Sequence, residues 1–475
     1  MAADLSHISS RMRDTVEFIT PLIDEALATK SHCIDLATAE NWLLRSELRE
    51  MYSASIAGHM EEKASTQTLS YPTSILGDDD LRASLAEFFG AYFRPRVDVT
   101  SSHIVATPGA THCMDALLTS ICDSGDSVLV PVPYWNGFGL HFRLRPRVNI
   151  IPVIPEWTAG RLDENPRPLG EGLLPALKQA MAGVADKAKV KALVMTNPNN
   201  PLGQCYPEGV LQEALDFCRE AGLHYISDEL YALSQLGTGG GFVSALSLDA
   251  RGRGTNGDLG AADQARGVAS DSDATTAASC NDKKQTPDAT QCSASTKREK
   301  RDNKRQEALV HVIWSTSKDM CSSGVRIAAL VSQSREAKLI LTSVGLLSSM
   351  HVSSLSSLAT TQLLRSPALP GLVAALSRRL ARAHAIAHAR FRRWGVPFLP
   401  ADAGPFVLVR LGSWAAREDI MARLRLAHVT VAEGKSFGGG WCDGDGGFWV
   451  RLTVAVPPPM LWDGLNQIGF ALGHS

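Results

Sequence analysis

A mostly parallel α/β sheet in a large domain, followed by a smaller α+β domain, is the fold class that this sequence predicts. Three observations carry it. Short apolar runs alternate with helical segments from about residue 100 to 335. Each residue singled out below for its chemistry in that stretch follows one of those runs. Beyond residue 335 a long alanine- and arginine-rich helical pattern, 370–394, gives way to short strand-like pieces. Strands separated by helices pair in parallel through crossover connections, and ligands of such sheets sit at the carboxyl ends of the strands.

The strand candidates are 104–106, 127–132, 192–196, 224–227, 310–314 and 327–331, with helices such as 113–120 and 208–220 between them. The stretch 248–307 interrupts this alternation. It is rich in Gly, Ser, Thr, Asp and Lys and nearly free of apolar residues. Such a composition cannot bury enough surface to order itself, so a disordered surface insertion between two core strands is expected. Its basic runs, 297–301 and 303–305, read as part of a solvated loop whose acids and bases nearly cancel. The remaining strand candidates, 406–410, 429–432 and 448–454, belong to the smaller domain. The expected division is 1–50 as an N-terminal segment completing the small domain, 51–340 as the large domain and 341–475 as the small one. No internal repeats are evident.

Composition narrows the function. With 475 residues, a hydrophobic fraction of 44% and a net charge of −2, the chain is a globular protein with no general attraction to nucleic acid or anionic membranes. No uninterrupted apolar stretch is long enough to span a bilayer, and the N-terminus lacks a secretory h-region. Nine cysteines without a Cys-x-x-Cys pair suggest reduced thiols and a cytoplasmic setting. His384 and His388 have a spacing that suits zinc, but no glutamate follows His384 and arginines crowd the helix, so an exposed helix face and no metal are expected.

The chemistry begins at Ser315-Thr316-Ser317-Lys318-Asp319. A lysine on a tight, partly buried turn can lose its proton and form a Schiff base with an aldehyde. Ser315, three residues before it, and Arg326, eight after, are placed to hold a phosphate. The aldehyde cofactor that carries a phosphate is pyridoxal 5'-phosphate (PLP), which makes Lys318 its candidate anchor and catalytic base. Four further requirements find candidates. Backbone N–H groups for the phosphate come from Gly109-Ala110-Thr111 at a strand-to-helix turn. A buried carboxylate for the ring nitrogen comes from Asp228, although an N-cap aspartate would look the same in isolation. Asn200 and Tyr231 could donate to the ring's phenolic oxygen, and Trp135 could stack on the ring. Arg451, on a late strand, is the candidate for bidentate recognition of an amino-acid carboxylate.

Taken together, Gly-Ala-Thr at 109–111, Asn-Pro-Asn-Asn-Pro-Leu-Gly at 197–203, Ser-Asp-Glu-Leu-Tyr at 227–231 and Ser-Thr-Ser-Lys-Asp at 315–319 resemble the class I aminotransferases of PLP fold type I. Ala39-Glu40-Asn41, Leu69-Ser70-Tyr71-Pro72 and Pro133-Tyr134-Trp135-Asn136-Gly137-Phe138 are similar to the 1-aminocyclopropane-1-carboxylate (ACC) synthase-like branch. That branch includes fungal aminotransferases and carbon–sulfur lyases of gliotoxin-like secondary metabolism. The resemblance implies a homodimer in which Tyr71 reaches the partner's cofactor phosphate, and a substrate pocket lined by Glu40. ACC synthases carry Tyr where Trp135 stands and Pro-Gly-Phe-Arg where Ser323-Gly324-Val325-Arg326 stands. These changes surround the substrate and place ACC synthase third, behind an aminotransferase and then a C–S lyase. A non-catalytic PLP-fold regulator would need a DNA-binding domain, for which the residues before the first core strand leave little room.

Overall fold

The structure, a computed structural model, describes residues 6–30, 33–61, 66, 68–72, 74–159, 167, 169–237, 241–252, 307–348, 352–438 and 446–474. Its strands are β1 (Ile34–Asp35), β2 (Ile104–Thr107), β3 (Ser127–Pro131), β4 (Asn149–Val153), β5 (Val190–Thr196), β6 (His224–Asp228), β7 (Leu309–Ser315), β8 (Ala328–Ser332), β9 (Phe406–Ser413), β10 (Val429–Thr430), β11 (Ala432–Glu433) and β12 (Gly447–Thr453). Seven of them form one sheet in the order β2-β8-β7-β6-β5-β3-β4. β7, β6, β5, β3 and β4 pair in parallel, whereas β8 runs antiparallel to both of its neighbours.

Both faces of this sheet are buried, which explains why its strands read as continuous apolar runs. Successive side chains still alternate between faces. Val128, Val194, Ile226 and Ile313 join one core cluster, against the helices Ala110–Ile121 and Ala337–Ser348. Their chain neighbours Leu129, Leu193, Tyr225 and Val312 join the other, against Asp79–Phe93 and Glu208–Ala221. The six expected strands of this region are all present, within two residues of their expected ends. β4 was not expected. It carries Pro152 and lies at the sheet edge, where a missing N–H is tolerated.

The small domain is built on the sheet β11-β12-β9 and on the pair β1-β10. The single strand expected at 429–432 is divided: Val429 and Thr430 pair with β1, while Ala432 and Glu433 pair with β12. Leu36 joins Val409, Phe448 and Ile468 in the small-domain core. The long helix Leu369–Trp394 serves both cores, with Leu376 and Leu380 in the large one and Ala387 and Phe391 in the small one. His384 corrects an expectation. It is buried rather than on an exposed face, and its Nε2 bonds to the carbonyl of Gly404 at 3.0 Å.

Most of the expected insertion, residues 253–306, lies outside the described residues. Its flanks are packed: Leu248 is buried, and the Ala308 N–H donates to the Ala250 carbonyl at 2.9 Å.

Candidate active site

A cavity of about 790 Å³ opens at the carboxyl ends of the parallel strands. It is lined by Ala110, Thr111, Trp135, Asn200, Asp228, Tyr231, Lys318, Arg326 and Arg451, together with residues that the sequence did not single out. β2 ends at Thr107, and the chain turns at Gly109 into the helix Ala110–Ile121. Gly109 has φ 101°, and a Cβ there would lie 1.9 Å from Nη2 of Arg326. Only glycine fits both the backbone angle and the approaching guanidinium. Arg326 is fixed at this turn by donating Nη2 to the Pro108 carbonyl at 3.1 Å and Nη1 to that of Ser323 at 2.8 Å. Helix N-terminal N–H groups beside a guanidinium form a seat for a phosphate-like anion.

β6 ends at Asp228, which is 6% exposed. Burial pushes its carboxyl up to about 7, against the opposing pull of the Leu230 N–H and the Lys318 charge. Its Oδ1 has no hydrogen-bond partner. After β7 the chain turns through Thr316–Asp319 and presents Lys318. Burial first and the Arg451 charge second lower the Lys318 amine to about 8, with Glu40 and Asp228 opposing. Its Nζ donates to the Ala39 carbonyl at 2.5 Å, and Asn41 Nδ2 donates to the Lys318 carbonyl at 3.1 Å. The next residue, Asp319, is buried and accepts from Trp314 Nε1 (2.9 Å), Leu233 N (3.0 Å) and Ser234 Oγ (2.7 Å). These bonds lock the lysine turn to the turn that carries Tyr231.

Arg451 projects from β12. Its Nη1 donates to Asn200 Oδ1 at 2.8 Å and its Nη2 to the Ala37 carbonyl at 2.6 Å. The guanidinium lies 4.7 Å from the Phe437 ring centroid and 5.1 Å from that of Phe406. Burial lowers it to about 10, so it remains a cation at neutral pH. Tyr231 packs edge-on against Phe406, and burial raises its phenol. Trp135 stacks on His141 with ring centroids 5.5 Å apart, and both line the cavity.

Three expected residues lie off this wall. Ser315 is fully buried and donates Oγ to the Ile327 carbonyl at 2.8 Å, so Ser317 faces the cavity in its place. Glu40 borders the wall through Ser323, whose Oγ donates to Glu40 Oε1 at 2.6 Å. Burial would raise this carboxyl, yet bonds from Ser323 and Arg45 hold it below the ordinary glutamate value. Tyr71 is 81% exposed and sits in a separate surface depression with His59 and Arg365. The sequence reading also passed over Thr196, His141, Ser436 and the segment 37–39. Among these, Thr196 lies directly before Asn197-Pro198 and Ala39 opens the motif Ala39-Glu40-Asn41.

A model of the family "Aminotransferase class I and II" matches residues 31–256 and 270–467. The chain is similar to the probable aminotransferase aclI of Aspergillus oryzae, with 32% identity and all of both chains covered. It is also similar to the 1-aminocyclopropane-1-carboxylate synthase-like protein 1 of Bos taurus, at 27% identity over 92% of this chain and 76% of that one. In fold it is similar to a double mutant of Thermus thermophilus aspartate aminotransferase, with TM-score 0.66, 17% identity and 98% and 99% of the two chains covered.

Proposed function

We propose, since this chain belongs to the class I and II aminotransferases, that it transfers the amino group of an amino acid or amino-acid-derived intermediate of secondary metabolism. PLP is the cofactor of the family, and the cavity supports its seat: the cradle at Gly109, the buried and unpartnered Asp228 Oδ1, and a lysine whose amine burial brings down to about 8. When bound, PLP supplies an electron sink for negative charge developing at the substrate's α-carbon. In this reading Ala110, Thr111 and Arg326 hold the phosphate, with Ser317 beside them. Asp228 accepts from the ring nitrogen, Asn200 and Tyr231 donate to the phenolic oxygen, and Trp135 covers the ring.

Arg451 clamps the substrate carboxylate and so directs the α-hydrogen toward Lys318. Lys318 Nζ, once neutral, takes that proton and can return it elsewhere. Desolvation keeps the neutral amine accessible at ordinary pH, which a lysine in water would not allow. The observation that carries the proposal is the convergence of Lys318, Asp228 and Arg451 on one cavity.

The same reading makes the protein a cytoplasmic homodimer, with the exposed Tyr71 contributed to the neighbouring subunit's phosphate seat. Among the described residues no helix is long and apolar enough to cross a membrane. The deciding experiment offers the purified protein single amino acids with a 2-oxoacid, S-adenosylmethionine, and cysteine S-conjugates. Transamination requires the 2-oxoacid for repeated turnover. Release of thiol without it would replace the proposal by a C–S lyase, and release of methylthioadenosine by an ACC synthase. Borohydride reduction followed by peptide mapping should find the phosphopyridoxyl label on Lys318, and a label on any other lysine would refute the assignment.

A further inference from the structure

Oγ1 of Thr196 and Oδ1 of Asp228 are among the buried polar atoms on the cavity wall that lack a hydrogen-bond partner, as is Nε of Arg451; the first two stand on adjacent strands. They belong to register partners, because β5 and β6 run in parallel with Thr196 opposite Asp228. Side chains of such partners leave the same face of the sheet, and both residues are 6% exposed. A threonine hydroxyl can donate one hydrogen bond, whereas a carboxylate can only accept. Around Asp228, the Leu230 N–H donates to the carboxylate, the Lys318 charge faces it, and the Cys113 thiol and the Glu229 carboxyl lie close by. Cys113 is buried among apolar residues of the helix Ala110–Ile121, and Glu229 is engaged by Ser227, Ser244 and the Ala245 N–H. The Tyr231 phenol also senses the Asp228 charge, while Thr196 offers a hydroxyl from the neighbouring strand, at the paired register position and on the same face. Thr196 ends a strand whose preceding residues, Ala192 to Met195, are all apolar.

We infer that Thr196 is a positioning residue for Asp228: unbonded in this structure, its hydroxyl turns to the carboxylate when PLP binds, so that the ring nitrogen meets Asp228 oriented and ionised. This rests on the placement of the ring nitrogen at Asp228 proposed above. The physical need is plain. Burial favours the neutral acid, and a neutral acid would offer a proton where the protonated ring nitrogen also offers one. A hydroxyl donor stabilises the charged form and removes that conflict. Valine would fill the same space and supply no donor.

The test uses full-length apoprotein as wild type, Thr196→Val and Thr196→Ser. Each is titrated with PLP and with the analogue whose ring nitrogen is replaced by C–H, and the thermal midpoint of each apoprotein is recorded. Thr196→Val should weaken PLP binding about tenfold, and Thr196→Ser should restore most of it. The carbon analogue should bind wild type and Thr196→Val equally. The apoprotein of Thr196→Val should melt at or above the wild-type temperature, since a buried, unpartnered hydroxyl has been removed. Equal losses for both ligands, no loss for PLP, or a lower melting point of the Thr196→Val apoprotein would each overturn the inference. Failure of the wild type to bind PLP would overturn the seat itself, whereas wild-type binding with an unaffected variant overturns Thr196 alone.

Discussion

The wall formed by the ends of β2, β5, β6 and β7 and the wall formed by residues 37–39, Ala432, Ser436 and Arg451 face the same cavity, but they are assembled in different ways. On the first, the reactive groups leave strands of the central sheet and are tied partly within their own turns, although Lys318 also reaches Ala39 and Arg326 reaches Pro108. Arg326 bonds to Ser323, Ser315 caps its own turn, and Asp319 holds Trp314. The second depends more on contacts between residues distant in sequence. Arg451 reaches Ala37, 414 residues away, and Asn200, 251 residues away. The first wall suits a cofactor that every member of a family shares. The second can be rebuilt by changes at scattered positions without disturbing the first, which suits substrate choice.

The largest expected effect lies on the first wall. Lys318→Ala should lower turnover at least about 10⁴-fold, because proton transfer at the α-carbon loses its base; steady-state assays with PLP in excess measure this. On the second wall, Arg451→Ala should lower kcat/KM for free amino acids about 10²- to 10³-fold while PLP binding holds. A loss of PLP affinity in that variant would erase the distinction between the walls. A negligible change in kcat/KM would mean that the substrate has no free carboxylate, which favours the lyase.

Away from both walls, protons decide stability. His224 and His311 share a 2.9 Å hydrogen bond between β6 and β7, at the strand ends far from the cavity. Burial pushes His311 down to about 3 and His224 to about 4, and it takes His384 in the other domain to about 4. The unfolded chain therefore binds protons below pH 6.5 that the folded chain does not. Stability is fully present above that pH and falls as the pH drops toward 4, by up to about 1.4 kcal/mol per pH unit per histidine. Melting curves from pH 7.5 to 5 should show this slope, and His311→Gln should flatten it. The smallest effect is expected from replacing residues 253–306 with a short Gly/Ser bridge. Ala250 and Ala308 already bond at 2.9 Å, so the ends need no rearrangement. Unchanged melting and activity are the expected outcome, and unfolding would show that the segment packs.

What could be read from the sequence follows the same division. Lys318, Asp228, Asn200 and Gly109 were legible because each stands in a compact motif directly after an apolar run. The N-terminal contribution of Ala37 and Thr38 was not, since they precede the motif Ala39-Glu40-Asn41 and nothing local marks them as part of a cavity. β4 escaped because Pro152 argues against a strand unless the strand is known to lie at an edge. His384 was misread because arginines dominate its helix, whereas its own position meets the Gly404 carbonyl across the domain. Ser315 shows the limit of spacing: three residues from the lysine in sequence, it turns inward while Ser317 turns out.

Because β8 runs antiparallel to β7, Lys318 and Arg326 emerge from one connection, 316–327, whose two ends are pinned by Ser315 opposite Ala328. Parallel neighbours in the sheet need long crossover connections, but this pair needs only a short loop to close. Contacts between residues near in sequence form sooner than those between distant ones. During synthesis, residues 309–332 leave the ribosome together, so the lysine and the arginine can take up their mutual geometry as a local hairpin. Arg451 and the strand that carries it are made well after this hairpin, so the pocket acquires its proposed carboxylate clamp later than its lysine and its phosphate arginine.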